Sequence, residues 1–543
     1  MIIPEFSIEI FNKYFTALLL YTEVHFRFKW IRSRYFMYEP EILSDVPLRI
    51  EPGKKLPIFL FIKDADQYPI HLLSIDINIY KFEQLVNSSN LIYHEYINKH
   101  FWNKTIYPNI VGLTGSIDID IIFNYKIRNK EKVCHIHNYP LCTHNKMSTY
   151  LSVHPYPNDG YILYGDLHYH SNLTEDMVEF GAPLKSTLEA ANSMGLDFFC
   201  NTDHSYDLDD KPGSWTETDP ELEKWKESRK EIDTLNLDHS YSSFIIPSEE
   251  LSLHNLNGMN VHALILNNKS FLPGAGDGAE KPFHFNCEYN TNNIYDALDE
   301  NSLCIAAHPF SSVPIMQKLF FKRGEWKKSD IQPVKMVGLQ ILNGSLDTTF
   351  FKSILIWTKL LLKGERKFIY AGNDAHGNFN IYRQINIPMV SIKEKKEQMF
   401  GNFRTGVITM KDKKNILNTI DSLRKGNAFI TSGPLLKISL LCNNSIYGMG
   451  SEIITNTGLL KINVQSSLEF GNIKNIVIKK GIIGENMESQ SFTIQNINKY
   501  NLNIKLKVYT SKKCYYRCEG EFINKEGKKN IAFTNPIWLK PKR

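Results

Sequence analysis

The sequence predicts an α/β domain set between two β-rich regions, and three changes of pattern predict it. Residues 40–155 break into short apolar or alternating runs separated by Gly, Pro, Asp and Asn, as strands of a sandwich do. Residues 160–400 alternate strand-like runs with helix-like ones, the signature of an α/β domain. From residue 427 onward the alternating β pattern returns. The boundaries expected are 1–158 for a β-rich N-terminal domain, 159–405 for the α/β domain, and 406–543 for a linker helix with a C-terminal β-sandwich-like domain. A length of 543 residues agrees with three or four domains at about 150 residues each.

The first region is read from the runs 47–50, 57–62 and 75–80, the last of which alternates strictly as Ile75-Asp-Ile-Asn-Ile-Tyr80. In the middle region, strands are expected at 161–169, 196–200, 244–247, 260–266, 303–307, 336–342 and 367–371. Helices are expected near 183–194, 293–301 and 350–362. A further helix at 414–425 leads into alternating segments such as 460–464 and 476–478.

Composition limits the function classes. Lys plus Arg number 63 against 58 Asp plus Glu, a net charge of +5 that excludes a strongly cationic nucleic-acid coat and an acidic disordered tail. Eight cysteines are too few for a disulfide-built scaffold and point to a reducing compartment. The first 28 residues lack a basic stretch before their apolar run, and the run at 15–21 is too short to span a bilayer. The apolar stretch 351–362 carries Lys352 and Lys359 and reads as an amphipathic helix. No lipidation signal is present. A soluble cytoplasmic protein is expected, with no membrane or nucleic-acid partner. The basic runs 322–328 and 525–529 read as solvated faces.

The 17 histidines are not scattered evenly. Six of them follow the strand-like runs of the middle region, each near a carboxylate or another histidine. Gly165-Asp-Leu-His168-Tyr-His170-Ser ends the first run. Side chains two apart on a strand share a face, so His168 and His170 can chelate one ion. Asn201-Thr-Asp203-His204-Ser, Pro247-Ser-Glu249-Glu250, Val261-His262-Ala and Ala307-His308-Pro end the next runs. Gly372-Asn-Asp374-Ala-His376-Gly repeats the two-residue spacing with a carboxylate and an imidazole. Strand ends of α/β sheets gather at one rim, so these groups can converge on a metal site.

Taken together, GDLHYHS, GLDFFCNTDHS, IIPSEEL, VHALIL, AAHPF and GNDAHG resemble the motif series of the PHP (polymerase and histidinol phosphatase) metallohydrolases over roughly 165–380. The phrases AFITSGP at 428–434 and TNPIW at 534–538 resemble the CehA/McbA-like branch of that family. The resemblance implies a distorted (β/α)7 barrel flanked by β-sandwich-like domains, with two or three divalent ions at one rim. It implies His168, His170, Glu250, His308 and Asp374 as metal ligands, completed by His204, His262 and His376. The family's first motif has an aspartate five residues after its second histidine. Here that place is Glu175, with Asp176 beside it, and either carboxylate fills the role. Glu250 rather than Glu249 takes the glutamate position.

Mixed imidazole and carboxylate ligands suit Zn²⁺, Mn²⁺ or Fe²⁺. Paired ions lower the pKa of a shared water to about 7 and stabilise charge on a phosphoryl or carbonyl oxygen. The catalytic candidates are Asp203, as a supporting residue behind the ligands or as a proton shuttle, with His204 and His376. The expected function is therefore metal-dependent hydrolysis of a small-molecule phosphoester. The CehA/McbA-like branch implies ester or carbamate hydrolysis as the alternative, and an inactive binding protein is the reading from another class. A phosphatase calls for Arg or Lys near the metals, and Arg383 is nearest in sequence to His376.

Other signals are weaker. The acidic stretch from Asp207 to Glu223 reads as a solvated loop running into a helix, and the glycine-rich 271–279 as a loop without phosphate-loop spacing. Asn343, at the end of a strand, is a candidate substrate contact. Cys134, His137, Cys142 and His144 have ligand-type side chains but match no standard zinc spacing. No G-x-S-x-G or HExxH occurs, so serine-hydrolase and zincin readings have no support.

Overall fold

Alternation in the N-terminal third becomes two sheets facing one core. The computed structural model describes residues 39–138, 146–174, 181–212, 214, 217–276, 284–313, 318–319, 322–331, 336–381, 384–387, 390–393, 398–409 and 414–542. The N-terminal strands are β1 (Glu41–Asp45), β2 (Arg49–Ile50), β3 (Ile58–Lys63), β4 (Ile70–Lys81), β5 (Gln84–Ile97), β6 (Phe101–Ile106), β7 (Gly115–Ile127), β8 (Lys130–His135) and β9 (Met147–Leu151). One sheet has the order β1-β3-β6; the other runs β2-β9-β7-β4-β5, with β8 on β7. On β4, Ile75, Ile77 and Ile79 are buried while Asp76 and Asn78 turn outward, and they join Ile42, Phe59 and Phe123 in one apolar cluster.

The middle region contains β10 (Ile162–His170), α1 (Leu184–Met194), β11 (Phe198–Asn201), α2 (Ser205–Leu208), α3 (Glu223–Asn236), β12 (Phe244–His254), β13 (Asn260–Leu266), β14 (Leu303–Ala306), β15 (Met336–Asn343), α4 (Thr348–Leu362), β16 (Phe368–Gly372), β17 (Ala375–His376), β18 (Gln384–Ile387), β19 (Val390–Lys393) and β20 (Arg404–Ile408). Helix α4 shows how sequence sets an element. Asp347 caps it by accepting from the Thr349 and Phe350 amides, and Phe350, Ile354, Trp357 and Leu361 recur at helical spacing to face the core. Each such burial stabilises by about 1.5–3 kcal/mol.

The (β/α)7 barrel expected for this region is not what the chain builds. The described residues are 46% strand and 14% helix, with five α-helices among them. Strand–helix alternation fails at two places. The loop between β12 and β13 holds only five residues and turns at Gly258 (φ +71°), so the two strands pair antiparallel with no room for a helix. β13 and β14 also pair antiparallel. The helix expected near 293–301 shrinks to a single 3₁₀ turn at Ile294–Asp296, in a connection crowded with Asn and Asp that compete for backbone hydrogen bonds. The result is a mixed sheet in the order β16-β15-β14-β13-β12-β11-β10. Its parallel pairs are β10–β11, β11–β12, β14–β15 and β15–β16. Beyond β16 the chain returns, and β17 pairs parallel with β10.

The C-terminal region comprises α5 (Ile416–Arg424), β21 (Ala428–Thr431), β22 (Leu435–Cys442), β23 (Ser445–Tyr447), β24 (Glu452–Ile454), β25 (Thr457–Gln465), β26 (Asn472–Ile482), β27 (Ser489–Gln495), β28 (Asn501–Tyr509), β29 (Cys514–Ile523), β30 (Lys529–Thr534) and β31 (Ile537–Lys540). A four-stranded sheet, β23-β22-β25-β28, shares an apolar cluster with β26 and β29 through Leu436, Ile438, Ile462, Ile476 and Cys518. The other layer is continuous with the central sheet: β10 pairs β20, β20 pairs β21, and β21 pairs β30. β20 therefore crosses the expected 405/406 boundary. Arg49 joins the first region to the last through two bonds to the Glu469 carboxylate, at 2.8 and 3.0 Å.

Among the described residues no helix is long and apolar enough to cross a membrane.

Candidate metal centre

The strand ends bring six histidines and two carboxylates together. β10 delivers His168 and His170, both fully buried on one face of a strand whose nine residues are all buried. β12 delivers Glu250, β13 delivers His262, and the segments after β11, β14 and β16 deliver His204, His308 and Asp374. His376 follows on β17 and stacks on His170 with centroids 4.2 Å apart. Gly372 lets β16 run close against β10, since a Cβ there would stand 2.7 Å from the His168 backbone nitrogen. Two of these residues carry left-handed backbone, His308 at φ +28° and Asp374 at φ +55°. Such conformations cost non-glycine residues about 1–3 kcal/mol and persist where surrounding contacts demand them. The Asp374 amide is held by the His168 carbonyl at 2.9 Å.

Glu250 lies at the centre. Its Oε2 is 3.2 Å from His168 Nε2, 3.3 Å from His170 Nε2 and 3.1 Å from His204 Nδ1. Its Oε1 is 2.9 Å from His262 Nδ1 and 3.2 Å from His308 Nε2. Asp374 Oδ1 stands 3.1 and 3.4 Å from the Nε2 atoms of His168 and His170, which are 3.0 Å from each other. Donor atoms bound to one ion at about 2.1 Å are spaced by roughly 3.0–3.4 Å, so this quartet has the dimensions of a coordination shell.

The outer ring nitrogens support the same reading. His168 Nδ1 faces Gln340 Oε1 at 2.9 Å. His170 Nδ1 faces Thr174 Oγ1 at 3.4 Å, and that hydroxyl donates to Asp203 at 2.9 Å. With Nδ1 protonated in both rings, the Nε2 lone pairs point at each other and at two carboxylates. Positive charge, as a proton or a metal ion, is required between them. The residues present fit divalent ions. His168, His170, Glu250 and Asp374 form one group, His204, Glu250 and His262 a second, and His170, His204 and His376 a third. Glu250 belongs to the first two: its Oε2 faces His168, His170 and His204, and its Oε1 faces His262.

Charge in the cluster is strongly coupled. Burial would raise the Glu250 carboxyl, but His168, His262 and His204 hold it well below the ordinary range. Burial would likewise raise Asp374, and His168 holds it low. Burial pushes the His168 imidazole toward neutrality, yet Asp374 and Glu250 outweigh this and lift it to about 10. Burial and the neighbouring His170 push His204 down to about 3, so its ring stays neutral and able to donate a lone pair.

The cluster opens into a pocket of about 300 Å³ whose walls include His204, His308, Arg323, Asn343, Asp374 and His376. Arg323 Nη2 lies 3.5 Å from His262 Nε2.

Other sequence candidates fall elsewhere. Asp203 does not reach the cluster as a proton shuttle. Its two oxygens accept from the Ser171 amide and hydroxyl, Thr174 and Asn201, at 2.6–2.9 Å. It is a clamp beneath His170. Glu249 points the other way from Glu250, to Trp225, Arg229 and Asn268. Asn343 meets the pocket but also bonds Asp374 Oδ2 at 3.1 Å. Glu175, Asp176, Arg383, Cys142 and His144 lie outside the described residues. Sequence reasoning missed Gln340, Thr174 and Arg323. It also missed Asp166, which quotes the first motif and binds the last: its oxygens take the Asn373 amide and side chain at 3.0 and 2.7 Å. A buried aspartate two residues before a candidate ligand was the signal for it.

A second group of ligand-type side chains, Asp64, Asp66 and His100, sits at the N-terminal sheet, with His100 Nδ1 3.6 and 3.4 Å from the two carboxylates.

No protein-family model matches the chain, and no curated protein matches it. Among solved structures, the β-glucuronidase of Parabacteroides merdae aligns with 93% of this chain at 9% identity and a TM-score of 0.17. This chain spans 64% of that glucuronidase. The β-D-mannosidase of Dictyoglomus thermophilum aligns with 91% of this chain and 66% of its own, at 9% identity and a TM-score of 0.22. TM-scores this low do not establish a shared fold.

Proposed function

We propose that the chain is a divalent-metal-dependent hydrolase acting on small phosphoesters, in keeping with the PHP-like motif series. The observation that carries this reading is Glu250, a buried carboxylate ringed by five imidazole nitrogens at 2.9–3.3 Å beside an open pocket. A purely structural site would have protein on every side; this one has a polar pocket against it. His168, His170, Glu250 and Asp374 would hold one ion, and Glu250, His204 and His262 a second, with His308 beside them. Bound ions of this kind acidify water and screen charge building on the substrate. Arg323, on the pocket wall beside His262, binds an anionic oxygen of the substrate, which favours phosphoesters over carbamates and carboxyl esters. His376 lines the same pocket and gives a proton to the departing oxygen.

The test is metal analysis of purified protein, followed by hydrolysis assays with p-nitrophenyl phosphate, bis(p-nitrophenyl) phosphate and p-nitrophenyl acetate. Two or more transition-metal ions per chain and chelator-sensitive phosphoester hydrolysis are expected. Protein that neither carries nor takes up Zn²⁺, Mn²⁺ or Fe²⁺ would overturn the reading.

A further inference from the structure

Between His168 and Asp374 runs a line of hydrogen bonds through two amide side chains of β15. Gln340 Oε1 faces His168 Nδ1 at 2.9 Å, Gln340 Nε2 donates to Asn343 Oδ1 at 2.9 Å, and Asn343 Nδ2 donates to Asp374 Oδ2 at 3.1 Å. The His308 amide adds a donor to Gln340 Oε1 at 3.4 Å. Gln340 is fully buried, whereas Asn343 is half-buried and lines the pocket.

Each orientation in this line dictates the next. An ionised carboxylate accepts only, so Asn343 must present Nδ2 to Asp374. Its Oδ1 is then left for Gln340, which must answer with Nε2. Gln340 Oε1 is left for His168, which must carry its proton on Nδ1. That in turn leaves the Nε2 lone pair facing His170, Glu250 and Asp374 Oδ1. Residues three apart on a strand ordinarily face opposite ways. Here the register against β16 shifts between Gln340 and Leu342, and the bulge brings Gln340 and Asn343 to one side.

We propose that Gln340 and Asn343 are positioning residues for the metal centre, a directional amide relay that fixes the tautomer of His168 and reserves Asp374 Oδ1 for a cation. The relay rests on the metal-centre reading above. It acts through the ligands and touches no ion. Because Asn343 also walls the pocket, the relay links the space a substrate would fill to the ligands of the first ion.

The experiment is competition for Zn²⁺ against a chromophoric chelator, with wild type, Gln340→Leu, Asn343→Ala and the double variant. Thermal unfolding of each metal-free protein checks folding, and Gln340→Glu serves as the conservative variant that keeps the acceptor for His168. Outer partners of ligating histidines change metal affinity by about 10–100-fold. Gln340→Leu and Asn343→Ala are each expected to weaken Zn²⁺ within that range. The double variant should be no weaker than the worse single, since either change breaks the same line. Gln340→Glu should recover part of the loss. Nitrogen NMR of the Zn²⁺-loaded wild type should show His168 protonated on Nδ1. Folded variants that bind Zn²⁺ like wild type, or losses that simply add, would overturn the relay while leaving the metal centre standing. A wild type that binds no Zn²⁺ would overturn both.

Discussion

Two places in this molecule gather histidine with carboxylates, and they differ in nearly everything but residue type. At the N-terminal sheet, Asp64 is buried but its companions meet water: His100 is 67% exposed and Asp66 44%. In the central region, His168, His170 and Glu250 are 0–1% exposed and receive partners from strands far apart in sequence. Water screens the two exposed members of the first group. Burial denies the second that screening, so its charges have to balance one another or be balanced by a bound cation. The lesson is that ligand-type residues at short range become a site when desolvation forces them to act together and outer hydrogen bonds fix which atoms face inward.

The comparison can be tested from the inside first. Glu250→Gln removes the only carboxylate common to two of the ligand groups. It should abolish metal retention and destabilise the metal-free protein by about 3–5 kcal/mol in urea unfolding, as loss of one partner from a buried charge set does. Full metal content in this variant would mean that Glu250 is not a ligand. His168→Ala is expected to keep its fold by circular dichroism and lose phosphoester turnover; unchanged turnover would move the site elsewhere.

The pH response should separate the groups next. His168 is lifted to about 10 from an ordinary value of 6.5. In the metal-free protein its contribution to stability is complete below about 6.5 and is lost as pH rises through about 10. A cation must displace that proton, so Zn²⁺ loading at pH 8 should release protons, read as a dependence of the calorimetric heat on the buffer's ionisation enthalpy. Heat independent of buffer would contradict a protonated His168. The smallest effect belongs to the surface group. Asp66→Asn with His100→Ala should change stability by no more than about 0.5 kcal/mol and leave Zn²⁺ stoichiometry unaltered. A lost equivalent of metal there would erase the distinction drawn between the two clusters.

The candidate site was more legible than the architecture around it. His168 and His170 are readable because strand periodicity alone puts them on one face, and most other candidate ligands because they follow an apolar run, whereas His262 lies near the start of β13. The helices at 183–194 and 350–362 were also legible, and they appear as Leu184–Met194 and Thr348–Leu362. What periodicity cannot convey is strand direction. Nothing in the pattern of β12, β13 and β14 distinguishes a hairpin from a crossover, and the five-residue turn at Gly258 decides for the hairpin. Of the two roles expected for Asp203, the supporting one fits its bonds, through Thr174 to His170. Adjacency to His204 in sequence says nothing about which way a side chain turns at a strand end. Gln340 and Asn343 were invisible as a pair because their spacing makes sense only once the bulge in β15 is known.

The unbroken layer from β10 through β20 and β21 to β30 bears on how the chain is made. β21 receives its outer partner from residues 529–534, made long after β21 itself. Until then the growing protein carries an unpaired strand edge, a template for pairing with neighbouring chains. Stopping synthesis after β21 would leave that edge exposed, so β30 acts as the seal that keeps β21 from pairing with neighbouring copies.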